Sequence, residues 1–406
     1  MLLFSTAVNR KTLLILETAV VTNTTTCHTG GGIFVPVAGL TIFAIASGYL
    51  MSLIPLAMGE FKIDTSYASW LASIFYVGLL IGSMMIEPVI DKIGHRIAFV
   101  SFLASLALTV AIMPLFPHKE VWLFARLVAG MAVAGIFVVV ESWLLIGDDK
   151  KERAKRLGFY MTALYGGTTL GQFGIGLFGI SGFGPFIVIL TLVLIAILPP
   201  LLIKQGQPVC ESHHNLTFKQ ITRLSKPAVV GCATSGIVMG SIYGLMPLGL
   251  RQSGISDEKI GLLMAAIILG GMMIQPIISA LAHRMSKTLL LAMMCLVGVF
   301  AMGLIYQNND YFVLMIALAL LGMSAFTLYP IAITLACDEL DSSFIVSATQ
   351  IMLFSYSVGS AAGPMIANRF MIEKNGLMDF FFIVLLSTAI YMLFSSIKRK
   401  PQVLAN

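Results

Sequence analysis

Charge is scarce in this chain. Of 406 residues only 11% are Asp, Glu, Lys or Arg, where soluble proteins carry about 25%. So few charges cannot clothe a water-soluble globule of this length. That excludes a soluble enzyme, a nucleic-acid binder and a secreted domain. Cysteine is scarce too. There are five, an odd number with no CxxC pair, and Cys232, Cys295 and Cys337 sit in apolar runs. They are expected to be small buried thiols rather than disulfides or metal ligands. There is no phosphate-binding G-x-x-x-x-G-K-[ST], so ATP is not the direct energy source. H-E-x-x-H and the serine elbow G-x-S-x-G are missing as well, which argues against an intramembrane hydrolase. No metal, cofactor or nucleic-acid partner is expected, and no enzymatic activity.

Apolar residues, by contrast, make up 58% of the chain, and its mean hydropathy is +0.94. The solvent for most of it is lipid. Twelve apolar runs lie at 35–57, 67–90, 97–116, 121–146, 157–178, 182–204, 227–250, 260–283, 288–306, 311–336, 344–368 and 378–397. Each is long enough to cross a bilayer as a helix. The net charge is +6, and its distribution is informative. With the N-terminus inside, eighteen of the 25 Lys and Arg fall on the inner side and six on the outer, while Arg126 lies within a span. This inward bias predicts twelve spans with both termini cytoplasmic, in the plasma (inner) membrane. Residues 1–32 stand outside the pattern, and a disordered tail or a mis-assigned start is expected there.

The second six runs echo the first. Gly82-Ser-Met-Met-Ile-Glu-Pro-Val-Ile90 matches Gly270-Gly-Met-Met-Ile-Gln-Pro-Ile-Ile278, 188 residues on, and His95-Arg96 matches His283-Arg284. Pro55 pairs with Pro247, and Gly167 and Gly171 pair with Gly359 and Gly363, each 192 residues on. The organisation expected is a six-helix half over 33–204, a cytoplasmic linker over 205–226, a second half over 227–398 and a tail over 399–406. The paired prolines predict kinks, or else simple packing. The small-xxx-small patterns at Gly78/Gly82, Gly167/Gly171, Gly236/Gly240/Gly244 and Gly359/Gly363 predict close helix seams, where two halves would rock.

At this point a family resemblance is visible. Asp91-Lys-Ile-Gly-His-Arg96 resembles the signature loop of major facilitator transporters, with Asp91, Lys92, Gly94 and Arg96 in place and Glu87 where that family has glycine. Leu281-Ala-His-Arg-Met-Ser-Lys287 looks like a degraded second copy, including His283, Arg284 and Lys287. Arg126-Leu-Val-Ala-Gly130 resembles the family's fourth-span motif. Gly359-Ser-Ala-Ala-Gly-Pro364 resembles its antiporter motif, but sits in span 11, while span 5 carries Gln172 in place of the proline. Val138-Val-Val-Glu-Ser142, Tyr243-Gly-Leu-Met-Pro-Leu248, Phe326-Thr-Leu-Tyr-Pro330 and Ser355-Tyr-Ser-Val-Gly-Ser360 are similar to the bacterial YcaD-type subfamily. The resemblance implies an all-α membrane fold of two pseudo-symmetric six-helix halves. It also implies a secondary transporter that moves a small organic solute by alternating access, coupled to protons, as a monomer. A uniporter and a non-transporting sensor or scaffold on the same fold are the alternatives.

Charges at bilayer depth need a partner or water. Arg126, Glu141 and Glu87 are the candidates. Arg126 reads as a site for an anion or a control on a nearby acid, or as a side chain reaching back to the surface. Glu141 reads as a proton acceptor, or as the partner of Arg96 or Lys92 at an inner gate. Glu87 reads as a gate residue, and Asp91 as a cap on the N-terminus of span 11, which the family resemblance suggests. Tyr49, Ser52, Gln172, Tyr243, Gln275, Thr327 and Tyr329 are expected to add polarity to the pathway, or to bond helix to helix. This mixture suits a neutral or amphipathic solute, with an anion as its rival.

Overall fold

The computed structural model describes residues 34–145, 150–202, 225–282, 284–307, 310–338, 345–372 and 375–398. The N-terminal tail, the 205–226 linker up to residue 224 and the C-terminal tail fall outside them. The described chain is helical, with no strand among the described residues. Its helices are α1 (Phe34–Ala57), α2 (Ala68–Leu115), α3 (Lys119–Leu145), α4 (Lys150–Gln172), the short α5 (Gly174–Phe178), α6 (Gly184–Leu202), α7 (Lys226–Gln252), α8 (Asp257–Leu281), α9 (Lys287–Gln307), α10 (Tyr311–Cys337), α11 (Ile345–Phe370) and α12 (Gly376–Lys398).

In hydrocarbon every backbone group must be satisfied within its own segment, so the apolar runs become helices. Their ends follow local chemistry. The Asp310 carboxylate accepts from the Phe312 N–H at 3.1 Å to start α10, and Asp257 and Glu258 occupy the positive end of α8. The expected loop at 91–96 is a finding of a different kind. The chain stays helical through it except at Gly94, whose φ of 77° and ψ of 158° break α2 into two arms. A side chain is strongly disfavoured in that region, which glycine enters freely.

Among the described residues, ten stretches are long and apolar enough to cross a membrane. The two arms of α2 count separately, as Thr65–Ile86 and Lys92–Leu115. The expected spans at 157–178 and 344–368 are not among the ten. The helices there, α4 and α11, have 23 and 26 residues but are rich in Gly, Ser and Thr, and α4 opens on a run of charges. They lie against neighbours: α4 packs on α1 and α11 on α7. Polar, small-residue surfaces are what such buried seams require.

The two halves repeat one packing scheme, with α4 on α1 matched by α11 on α7. A Cβ on Gly171 would stand 2.1 Å from the Ile45 carbonyl oxygen, and one on Gly359 2.2 Å from that of Ala233. Gly167 and Gly363 face α1 and α7 in the same way, and Gly78 and Gly82 face α3. These seams therefore bind helices within a half, not between halves. The expectation that they are where the halves rock is corrected for all but Gly244, which meets Ala72 across the halves. The prolines Pro55, Pro247 and Pro364 are all buried inside their helices. On the periphery Leu108, Phe124, Ile187, Phe300 and Phe394 are each more than half exposed, as a lipid-facing surface should be. Cys232 and Cys295 are buried free thiols.

Candidate functional site

Three helices of the first half and three of the second bring polar side chains to the middle of the molecule. Arg126 sits seven residues into α3, about 10 Å from its start. It is only 7% exposed. Its guanidinium lies over the Phe75 ring at 4.1 Å, and Nε donates to the Leu71 carbonyl at a long 3.4 Å. The side chain thus turns inward against α2 instead of reaching back to the surface. Tyr76, on α2 beside Phe75, is in electrostatic contact with Arg126 and with Tyr243 and Tyr356 of the second half.

Further along, aromatic rings continue across the divide. Tyr165 of α4 meets Phe326 of α10 edge-on at 5.4 Å, and Tyr243 of α7 meets the same ring at 6.4 Å. Tyr329 of α10 and Tyr356 of α11 pair at 5.0 Å. Glu141 closes the series near the end of α3. Its carboxylate accepts from the Tyr160 hydroxyl at 2.7 Å, and its charge is felt by Tyr329 across the halves. Glu141 is itself exposed. Arg126 and Glu141 are about 22 Å apart along one helix, so tyrosines fill the interval between the two charges.

Several expected pathway residues are occupied elsewhere. Ser52 donates to Gln172 Oε1 at 2.7 Å, and Gln172 Nε2 donates to the Gly48 carbonyl at 2.8 Å, all within the fully buried α1–α4 seam. Tyr49 is 1% exposed and donates to the Gly179 carbonyl at 2.5 Å. Thr327 is fully buried and bonds its own helix at Met323 and Ser324. Gln275 bridges α8 to α10 through the Phe326 carbonyl at 3.2 Å. These five hold backbone and helix contacts. Tyr243 and Tyr329 join the central aromatic group.

At the gate loops, Glu141 bonds to Tyr160 and forms no ion pair with Arg96 or Lys92. Lys92 is exposed, and the Arg96 Nε is buried without a hydrogen bond among the described residues. The side chains of Glu87 and Asp91, and all of His283, lie outside the described residues. Arg284 is exposed. Lys287, at the start of α9, forms an ion pair with Asp338 at the end of α10. In the first half the corresponding link joins His95 Nε2 to the Ser142 hydroxyl at 3.0 Å.

Sequence reasoning passed over Tyr76, Tyr160, Tyr165 and Phe75. Single aromatics in apolar spans look like core, and these meet only through helices distant in sequence. For Tyr356 and Phe326 a signal existed, since both lie in the segments shared with the YcaD-type subfamily.

At the opposite end from Glu141 the halves touch directly. Arg251 donates from Nη1 to the Leu56 carbonyl at 2.7 Å, Gly244 abuts Ala72, Gly261 abuts the Gln172 carbonyl and Gly176 abuts Glu258.

Comparison with known proteins agrees with this architecture. The chain is 32% identical over 360 residues to an uncharacterized MFS-type transporter of Enterobacter sp. (strain 638), an alignment covering 87% of this chain and 92% of that one. It is 33% identical over 331 residues to the uncharacterized MFS-type transporter YcaD of Escherichia coli O9:H4 (strain HS), covering 80% and 85%. In three dimensions it resembles a crystal structure of a mutant of the nucleoside transporter NupG, with TM-score 0.75 at 13% identity over 89% of this chain and 98% of that one. It also resembles a bacterial homolog of the human lysosomal transporter Spinster in an inward-facing and occupied conformation, with TM-score 0.74 at 12% identity over 90% and 96%. At such identities these two likenesses speak for the fold alone. The Major Facilitator Superfamily profile matches residues 37–364, and the chain belongs to that superfamily of multi-pass membrane transporters, which move small solutes and are not enzymes.

Proposed function

We propose that this protein is a proton-coupled secondary transporter of a small organic solute, working by alternating access as a monomer. In this reading α4 and α11 are further crossings, giving twelve, with both termini cytoplasmic in the inner membrane, the linker at 205–226 inside, and residues 1–32 outside the folded unit. The observation that carries the proposal is Glu141. It is an acid on a membrane helix, exposed, hydrogen-bonded to Tyr160 of its own half and in electrostatic reach of Tyr329 of the other. A carboxyl there changes charge where the two halves face each other, which is what coupling a proton to their movement requires. In this reading, which the inward excess of Lys and Arg supports, the Glu141 end lies inside and the end closed by Arg251 and Leu56 lies outside.

The test is pH-sensitive dye fluorescence in proteoliposomes challenged with a library of solutes. A solute-dependent proton flux is expected in the native protein and not in Glu141→Gln. Flux that survives Glu141→Gln removes Glu141 as the proton site. Labelled-solute uptake with no proton movement at all favours a uniporter.

A further inference from the structure

Arg126 is a buried cation with no anion. It is only 7% exposed. Among the described residues it has no carboxylate partner, and its one hydrogen bond is the long contact from Nε to Leu71. Both Nη atoms lack a protein acceptor, yet neither is a sealed, unsatisfied atom, so they are open to a water molecule. The same holds for the hydroxyls of Tyr76, Tyr165, Tyr243 and Tyr329, which form no hydrogen bond among the described residues and are not sealed. An uncompensated charge in a low-dielectric interior costs several kcal/mol, and unpaired buried donors add to that. Five side chains from both halves therefore carry donors that no group among the described residues accepts, with a single positive charge among them and aromatic rings beside them.

We propose that Arg126 receives the acidic group of a planar aromatic monoanion, whose ring lies against the packed group of Tyr165, Tyr243 and Phe326. The inference rests on the transporter reading above and names its substrate class. One guanidinium matches one carboxylate, as a charge-assisted contact that it makes with nothing else. Rings contributed by both halves favour a flat π-surface over an aliphatic one. Because Arg126 and Tyr165 belong to the first half and Tyr243 and Phe326 to the second, such a solute contacts both. Its binding then stabilises the arrangement that draws the halves together, which gives it a differential affinity for two states. A neutral amphipathic solute leaves the guanidinium as unpaired as it is now.

Isothermal titration calorimetry on the full chain in detergent tests this with 2-naphthoate, its uncharged counterpart 2-naphthamide, and cyclohexanecarboxylate. Naphthoate is expected to bind about ten-fold or more tighter than either of the others, the scale of one charge-assisted hydrogen bond. Arg126→Gln should bring naphthoate to within about two-fold of naphthamide, and Arg126→Lys should keep part of the difference. Three results overturn the inference: no binding of naphthoate by the native protein, equal binding of naphthoate and naphthamide, or a preference that persists in Arg126→Gln. Equal binding of cyclohexanecarboxylate overturns the aromatic part. The first comparison uses the native protein only, so it decides even where Arg126→Gln does not fold. Calorimetry reads no flux. Binding without transport removes the transporter reading and keeps the site, and transport of other solutes without naphthoate binding does the reverse.

Discussion

Arg126 and Glu141 stand on one helix, but their surroundings differ because α3 meets different neighbours at its two ends. At Arg126 the approach of α2 is permitted by Gly130, one turn further on. A Cβ there would lie 2.0 Å from the Phe75 carbonyl oxygen, a distance no backbone oxygen can yield without moving the whole helix. Gly130→Ala is therefore expected to push α3 off α2, breaking the Arg126–Phe75 contact and giving aggregated or thermally weak protein in size-exclusion and melting assays. Gly158→Ala is the control. Nothing lies within 4 Å of a Cβ there, and the change should be neutral or stabilise by up to about 1 kcal/mol through helix propensity. At the other end, Tyr160→Phe removes the donor to Glu141. A hydrogen bond to a charged acceptor is worth about 1.5–3 kcal/mol, so unfolding in mixed micelles should shift by that order, and a wild-type midpoint would show that the bond contributes nothing. Both charges were legible in the sequence, because a lone Arg or Glu in an apolar run is conspicuous. Of the tyrosines near them, Tyr243 and Tyr329 were legible as pathway candidates, but Tyr76, Tyr160 and Tyr165 were not, since nothing local separates a phenol facing a polar group from one packed in a core.

Among the elements, what periodicity and length specify came through most faithfully. Most of the apolar runs correspond to helices within a few residues, since a bilayer leaves the backbone no other choice; those at 67–90 and 97–116 are the two arms of α2, and that at 157–178 meets α4, which starts seven residues earlier, and the short α5. The Gly-x-x-x-Gly spacing also marked close seams, but it carried no information on which helix lies opposite, and so it misplaced them between the halves. The signature segment at 91–96 looked like a loop because it is polar, and tertiary context keeps it helical up to Gly94. Gly94→Ala forces a side chain into a glycine-only region, at a cost of about 1–3 kcal/mol. Its melting temperature should fall well below that of Gly158→Ala, and equal values would show that the break relaxes freely. The Lys287–Asp338 pair, with side chains 18% and 43% exposed, fastens α9 to α10 as His95 and Ser142 fasten the second arm of α2 to α3. Partial exposure limits its worth to about 1 kcal/mol or less, so Asp338→Asn should be mild and salt-sensitive in chemical unfolding. The short 3₁₀ turn before α2 depends on Asp64, whose carboxylate accepts from the Ser66 N–H at 2.8 Å. The Ser66 backbone and side chain hold this carboxyl below its ordinary value. Its contribution is thus present at neutral pH and lost as the pH falls through the folded-state value.

For the molecule as a whole, the relevant quantity is the free-energy difference between the arrangement seen here and its alternative. At the closed end the halves share a hydrogen bond from Arg251 to the Leu56 carbonyl, with Asp257 of α8 holding the same guanidinium at 3.4 Å. Leu56 is one residue from the end of α1, so its carbonyl has no later turn of helix to donate to it and is free to accept. Arg251 is the counterpart it finds in the other half. The rest of the seal is shape, with Gly244, Gly261 and Gly176 allowing close approach but holding nothing by themselves. Removing Arg251 should therefore open this end without unfolding either half. If the bond is worth about 1.5–3 kcal/mol, its loss shifts the ratio of closed to open by about ten- to a hundred-fold. The measurement is double electron–electron resonance between spin labels at Leu177 and Ser253, on opposite halves at the sealed end. In Arg251→Gln a second, longer distance should gain population relative to the unsubstituted background, while Asp257→Asn, which leaves the bond to Leu56 in place, should change it less. Identical distance distributions in Arg251→Gln and the background would mean that the glycine contacts alone keep this end shut, and that Arg251 serves α7 and α8 without acting as a latch.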